Sequence, residues 1–384
     1  MTTIDLVYFD AGGGHRAAAN ALRATLAAQR PHWQVRLVQL FDVLDPQQRF
    51  RQVTGMAPEQ YYNARLARGW TLGLTQELKL LQGMIKLGQG RLVKTLTAHW
   101  ARTDPDLVVS LVPNFNSVLH QSLATALPGV PYVTVLTDLA DFPPHFWIEP
   151  DQQQDLICGT PHAARQALVA GYPPERVHAV SGMLLRPDFY ALPAIDRPAT
   201  RQRWGLHPDR PTGLVMFGGQ GATTMLKIAE SLPDTQLIFL CGHNQRLAER
   251  LRALPATAPR LVMGFTADVP HYMQLADFFI GKPGPGSLSE AVHLHLPVIV
   301  VCNTWTMPQE RYNAQWVRDN GLGLVLSSFK HIAPAVAQLV SHLPRYTLAT
   351  MRMDNRAAFE IVERLSLILA RSQRAQPQAH ALPA

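Results

Sequence analysis

Twice in this chain a short β-rich run breaks into glycines and then into a helical pattern. The first is Val7-Tyr8-Phe9-Asp10-Ala11-Gly12-Gly13-Gly14-His15, and the second is Val215-Met216-Phe217-Gly218-Gly219-Gln220-Gly221. A strand that turns this sharply into a helix leaves bare backbone N–H groups at the helix entry, where a phosphate or another developing negative charge is favoured. Glycine also serves such turns for steric reasons alone, so one cluster says little, whereas two at equivalent places in the two halves say more. Neither is followed by Gly-Lys-Ser/Thr, and the first lacks the G-x-G-x-x-G spacing, which sets aside ATP and dinucleotide sites.

Around these loops the chain alternates strand and helix patterns. Strand candidates in the first half are Ile4–Phe9, Val35–Leu40, Leu107–Val112, Tyr132–Leu136 and Leu156–Cys158, and those in the second are Gly213–Phe217, Gln236–Leu240, Leu261–Met263, Asp277–Ile280, Pro297–Cys302 and Leu322–Leu326. Strands separated by helix-length segments predict parallel sheets, so the expected fold class is α/β with two doubly wound, Rossmann-like domains. The proline-marked stretch containing Pro187, Pro193 and Pro198 is the expected hinge. The resulting division is 1–190 and 191–345, followed by a C-terminal helix over 346–371 that crosses back to the first domain and a disordered tail over 372–384.

Composition narrows the setting. The cysteines Cys158, Cys241 and Cys302 have neither paired nor metal-ligand spacing, so no disulfide framework and no metal site is expected. No run of 18 or more apolar residues and no leader pattern occurs, which points to a protein kept inside the cell. The net charge of +7 is concentrated: residues 48–102 hold nine Lys/Arg against two acids, interleaved with Trp70, Leu80, Met84 and other apolar residues. Basic heads such as Lys79 and Lys86 beside apolar bodies suit an anionic membrane surface, and a helical insertion packed on its own domain fits the same pattern. No nucleic-acid motif is present, so nucleic acid is not an expected partner.

A third loop, Gly281-Lys282-Pro283-Gly284-Pro285-Gly286-Ser287-Leu288-Ser289-Glu290, leads from a strand into a helix. Ser287 is its expected N-cap, and the Pro285-Gly286-Ser287 turn exposes the Gly286 and Ser287 amides at the helix entry, as the first half's turn does at Gly13 and Gly14. On spacing alone Glu290 reads as the acid of a capping box.

The ordered set Asp-Ala-Gly-Gly-Gly-His-Arg-Ala-Ala-Ala (10–19), Leu-Thr-Asp-Leu (136–139) with His145-Phe146-Trp147, Gly-Gly-Gln-Gly (218–221), Cys-Gly-His-Asn (241–244), Gly-Phe (264–265), Lys-Pro-Gly-Pro-Gly-Ser-Leu-Ser-Glu-Ala (282–291) and Gln-Glu-Arg-Tyr-Asn (309–313) resembles the monogalactosyldiacylglycerol synthases. More distantly it is similar to the peptidoglycan lipid-linked N-acetylglucosaminyltransferase. The resemblance implies a GT-B fold with two domains facing a central cleft, and an inverting hexosyltransferase that uses a UDP-sugar and neither metal nor cofactor. It also implies a lipid acceptor, diacylglycerol, reached from the inner face of the plasma membrane. Carried over by position, Gly218, Gly219 and Gly221 face the diphosphate, Phe265 lies by the uracil, Glu290 takes the ribose hydroxyls, and Gln309 and Glu310 hold the sugar with Asn313 close by. The chain departs from the family pattern at Pro283, Ser287 and Met307-Pro308, which leaves galactose and glucose both open as the donor sugar.

His15 is the expected base for the acceptor hydroxyl, because a helix N-terminus disfavours the imidazolium. Asp138 either orients His15, acts as the base, or caps the next turn. His145 and Trp147 are expected at the acceptor mouth, with burial in the core as the alternative for the tryptophan. A UDP-sugar 2-epimerase or hydrolase, or transfer to a non-lipid acceptor, is the competing reading.

Overall fold

The computed structural model describes residues 2–10, 14–47, 52, 55, 74–150 and 152–375. It separates into two compact units, Met1–Pro187 with Arg356–Ala384, and Asp188–Asn355. Both are parallel sheets covered by helices.

The first unit runs β1 (Thr2–Tyr8), α1 (Gly14–Gln29), β2 (Trp33–Gln39), α2 (Leu40–Leu44), α3 (Leu74–Leu87), α4 (Gln89–Thr103), β3 (Leu107–Ser110), α5 (Asn116–Ala126), β4 (Tyr132–Val135), β5 (Asp155–Cys158), α6 (Pro161–Val169) and β6 (Val177–Ala179). Its six-stranded sheet has the order β2-β1-β3-β4-β5-β6. β2 and β3 pair with opposite edges of β1, so winding reverses there and the turns leaving β1 and β3 diverge. A crevice outside the carboxyl ends of strands at such a reversal is where open α/β sheets bind ligands.

Strands β3, β4 and β5 are buried throughout, as expected when helices cover both faces of a parallel sheet. Alternate residues serve different cores. Leu107 and Val109 pack with Ala19, Leu22 and Leu26 of α1, whereas Val108 packs with Leu96, Trp100, Leu119 and Leu123 from α4 and α5.

The second unit runs α7 (Arg197–Arg203), β7 (Thr212–Met216), α8 (Thr224–Ser231), β8 (Gln236–Leu240), α9 (Gln245–Ala253), β9 (Arg260–Met263), α10 (Val269–Gln274), β10 (Phe278–Gly281), α11 (Pro285–His293), β11 (Val298–Val301), α12 (Arg311–Asp319), β12 (Gly323–Leu326), α13 (Ile332–Ser341) and α14 (Leu343–Met351). The strand order β12-β11-β10-β7-β8-β9 places the reversal between β7 and β10. Val215, Phe239, Phe278 and Ile299 form its core with Ile228, Leu251 and Leu339.

Two sequence expectations change. The single helix expected from Tyr346 is divided into α14 and α15 (Ala357–Ala375), with residues 352–356 outside any helix. Asp354 and Asn355 fall in this break, and such side chains compete with helical backbone bonds. The backbone N–H of Arg356 donates to Ser181 Oγ across 2.7 Å. The expected tail is helical as far as Ala375, because α15 is anchored: Arg371 donates to both oxygens of the buried Asp155 at 2.7 and 2.8 Å, and the Ser372 hydroxyl donates to the Gly129 carbonyl. Residues 376–384 lie outside the described residues.

Ile361, Val362, Leu365 and Ile368 of α15 complete the core that contains Ile4, Leu6 and α1. Leu365→Ala should therefore cost about 2–5 kcal/mol, the usual range for a buried leucine. Amide hydrogen exchange should quicken in β1, β3 and β4 while β7, β8 and β10 keep their protection. Equal loss in both sheets would contradict the assignment of α15 to the first unit.

Candidate functional site

In the second unit, the turns leaving β7 and β8 interlock backbone to backbone. Gly218 and Gly221 have φ of 75° and 59°, and Gly242 has φ of 59°. A Cβ on Gly242 would lie 2.1 Å from the Gly219 carbonyl oxygen, and one on Gly221 would lie 2.8 Å from that of Cys241. That carbonyl of Gly219 accepts the His243 amide at 2.9 Å. Positions Gly218, Gly219 and Gly286, by contrast, have nothing within 4 Å of a built Cβ, so backbone there can be approached closely. Such turns present amides without side chains in the way.

The turn after β10 differs from the sequence expectation. Gly284, extended at φ −70° and ψ 136°, is the N-cap of α11, with Pro285 at the first helical position. Proline's fixed φ suits that position, so the helix begins earlier than a Ser287 cap would allow. Ser287 consequently lies within the first turn. Glu290 lies three residues beyond the capping-box position and is not a capping acid.

Met307 is followed by a 3-10 turn, Pro308–Glu310. There Glu310 is buried and accepts from the Lys282 ammonium at 2.7 Å, while the buried Asn313 amide donates to the Pro283 carbonyl at 2.7 Å. The carboxamide oxygens of Gln309 and Asn313 are buried without a partner among the described residues. Buried acceptors left so are uncommon and call for an explanation. Phe265, past β9, is 61% exposed and stacks on His243 with ring centroids 4.2 Å apart and planes at 15°. This leaves an aromatic surface beside the glycine turns. Lys282 and His243 carried no prediction from the sequence, because their partners lie 28 and 22 residues away in the chain.

In the first unit, His15 stands at the start of α1, and its Nδ1 lies 2.9 Å from the Leu111 carbonyl just past β3. The Thr137 hydroxyl is 3.2 Å from the same nitrogen. A carbonyl can only accept, which assigns the proton to Nδ1 and the lone pair to Nε2. Burial pushes the imidazole down to about 4, against the upward pull of the Leu111 bond. The expected neutral ring is thus present, and its cause is desolvation where the sequence suggested the helix N-terminus.

Asp138 is buried and accepts from the Trp147 indole at 2.9 Å, and that ring in turn lies 5.9 Å from the His15 ring. Trp147 is fully buried, so it braces Asp138 and His15 and does not form an open mouth. Asp141, which carried no sequence expectation, organises the loop by accepting the amides of His145 at 2.8 Å, Trp147 at 2.6 Å and Ile148 at 3.3 Å. His145 itself is exposed at a φ of 65°.

Of the basic apolar segment, α3 and α4 are described: Leu96 and Trp100 of α4 are buried, and α3 has two apolar faces. Leu78 and Ile85 pack inward. Leu80, Met84 and Leu87 are exposed at helical spacing, Leu87 by 91%, with exposed Lys86 alongside. The inward face fits the packed-insertion reading, and the outward face is an exposed apolar stripe beside a basic residue. Gly13, Trp70 and the Lys79 side chain lie outside the described residues. No helix among the described residues is long and apolar enough to cross a membrane.

Residues 214–365 match the model of the glycosyltransferase family 28 C-terminal domain. The chain is 28% identical over 379 residues to a probable monogalactosyldiacylglycerol synthase 2 of Oryza sativa subsp. japonica, covering 92% of this chain and 78% of that protein. It is also 28% identical to the monogalactosyldiacylglycerol synthase of Spinacia oleracea, over 86% of this chain and 64% of the other. Among solved structures, Acinetobacter baumannii MurG aligns over 95% of this chain and 99% of its own, with TM-score 0.57 and 14% identity. UDP-GlcNAc 2-epimerase from Neisseria meningitidis aligns over 95% of this chain and 100% of its own, with TM-score 0.56 and 14% identity. At such identities the structural likeness establishes the GT-B fold and nothing about the reaction.

The His15 assignment carries a test. Because its pKa falls from 6.5 to about 4 on folding, the unfolded chain binds more protons between those values, and this group's contribution to stability falls as pH drops through that window. Imidazole resonances followed by NMR should show His15 neutral at pH 6 and titrating near 4. A midpoint near 6.5 would contradict its desolvated setting.

Proposed function

Because the chain is a GT-B hexosyltransferase with a glycosyltransferase family 28 C-terminal domain in residues 214–365, we propose that it transfers galactose or glucose from a UDP-sugar to diacylglycerol, with inversion and without a metal ion. The observation that carries the donor half is the glycine interlock of the turns after β7 and β8, with unobstructed backbone at Gly218 and Gly219 beside it and at Gly286 after β10. Backbone amides aimed at a leaving diphosphate stabilise its charge without reorganising. In this reading Gly218, Gly219, Gly221 and the Pro285-Gly286-Ser287 turn hold the diphosphate.

Phe265 takes the uracil ring. Glu290, relieved of a capping role, receives the vicinal ribose hydroxyls, for which a carboxylate has enough acceptor sites. Gln309, Glu310 and Asn313 read the sugar. His15 receives the acceptor proton at Nε2, the nitrogen left unprotonated by the Leu111 contact, and Asp138 acts through Trp147 as a positioning residue.

The lipid half of the proposal is supported by the sequence likeness to monogalactosyldiacylglycerol synthases and by the exposed Leu80, Met84 and Leu87 stripe beside Lys86. An amphipathic helix with basic and apolar residues together lies in the interface of an anionic membrane. On this reading the protein works at the inner face of the plasma membrane as a peripheral enzyme.

The protein incubated with radiolabelled UDP-galactose, UDP-glucose or UDP-N-acetylglucosamine and anionic liposomes containing diacylglycerol should move label into the organic phase from one of the first two donors. Added salt should slow the transfer. Release of UDP without labelled lipid would refute the transfer and favour hydrolysis or epimerisation. His15→Ala should lower kcat by at least about 100-fold, the lower end for general-base assistance, while UDP affinity stays unchanged. Unchanged turnover would remove His15 from the mechanism.

A further inference from the structure

A cradle of neutral amides stabilises a leaving diphosphate only in part, and a charged group stands beside the turns at the β7/β10 reversal. Lys282 directly follows β10 at that reversal. Its ammonium donates to Glu310 Oε1 at 2.7 Å, yet the two partners are unequally placed: the lysine side chain is 40% exposed and the glutamate 6%. A Cβ on Gly284 would lie 3.2 Å from Lys282 Cε and 3.6 Å from its Nζ, so glycine at 284 leaves the ammonium its resting place.

This asymmetry has a direct consequence. The carboxylate is fixed in the protein, on the turn that also carries Gln309, while the ammonium sits at the open end of a flexible four-carbon stem and has three N–H donors to share. A cation so held can keep a desolvated carboxylate paired while directing other donors to an anion arriving from solvent.

We propose that Lys282 is the donor site's cation, whose ammonium meets the β-phosphate of a bound nucleoside diphosphate while Glu310 holds it ready. This rests on the function proposed above and adds to it a catalytic residue. In the transfer, the bond between the anomeric carbon and the β-phosphate oxygen breaks, and its electron pair stays on that oxygen. The acceptor oxygen bonds to the anomeric carbon, and its proton passes to the base. The diphosphate thereby gains one negative charge, which faces the ammonium. The same contact couples the two halves of donor recognition, since a lysine drawn toward phosphate leaves Glu310 with acceptor capacity for sugar hydroxyls.

Titration calorimetry with UDP and with UMP, which lacks the β-phosphate, tests this. Lys282→Met should weaken UDP binding about 10- to 100-fold, the range for a hydrogen bond to a charged group, and leave UMP binding unchanged. Lys282→Arg should recover most of the loss. Because Lys282→Met strands a buried carboxylate, the double variant Lys282→Met with Glu310→Gln serves as the folding control and should show the same contrast between UDP and UMP. Equal losses for the two nucleotides, or UDP binding unaffected by Lys282→Met, would overturn the role of Lys282 and leave the donor site standing. A wild-type protein that binds no UDP would remove both.

Discussion

The turns after β7 and β8 approach each other so closely that no side chain larger than hydrogen fits between them. With a Cβ on Gly242 only 2.1 Å from the Gly219 oxygen, any substitution there forces the two turns apart. The contact holds Gly218 and Gly221 at positive φ, accepts the His243 amide and thereby seats the ring on which Phe265 stacks. The glycine-turn amides and an aromatic surface are thus positioned by one backbone contact. Loops placed in this way lose little freedom when a ligand arrives, which is the physical meaning of preorganisation.

The first unit solves a different problem with related topology. Winding reverses between β1 and β3, and the residue fixed there is a titratable ring. The Leu111 carbonyl sets its tautomer, burial keeps it neutral, and Trp147 packs beside it while bonding Asp138. Asp141 organises the turn that carries the tryptophan by accepting three amides. One unit therefore fixes backbone dipoles and the other a neutral imidazole, and each depends on local packing.

Much of this was legible in sequence because it is local. Strand and helix alternation shows in periodicity, and glycine clusters mark their turns without any partner being known. What escaped depends on distant contacts. β6 is a three-residue edge strand recognised through its pairing with β5. Ser287 looked like a cap because serine commonly is one, yet Gly284-Pro285 starts the helix earlier. The division between α14 and α15 follows from which core each helix joins, and the Lys282–Glu310 pair is made by two different turns. The neutral state of His15 was foreseen from the helix N-terminus, but burial, which only the folded chain displays, is its principal cause.

The account depends most on the β7/β10 turns being the diphosphate cradle. Backbone amide resonances of the full chain, assigned and followed during titration with UDP, address it directly. The account predicts the largest, saturable shifts at Gly219, Gly221 and Gly286, with smaller ones at Phe265 and Glu290. Saturable binding that left those amides unmoved, with shifts confined to residues remote from these turns, would contradict it.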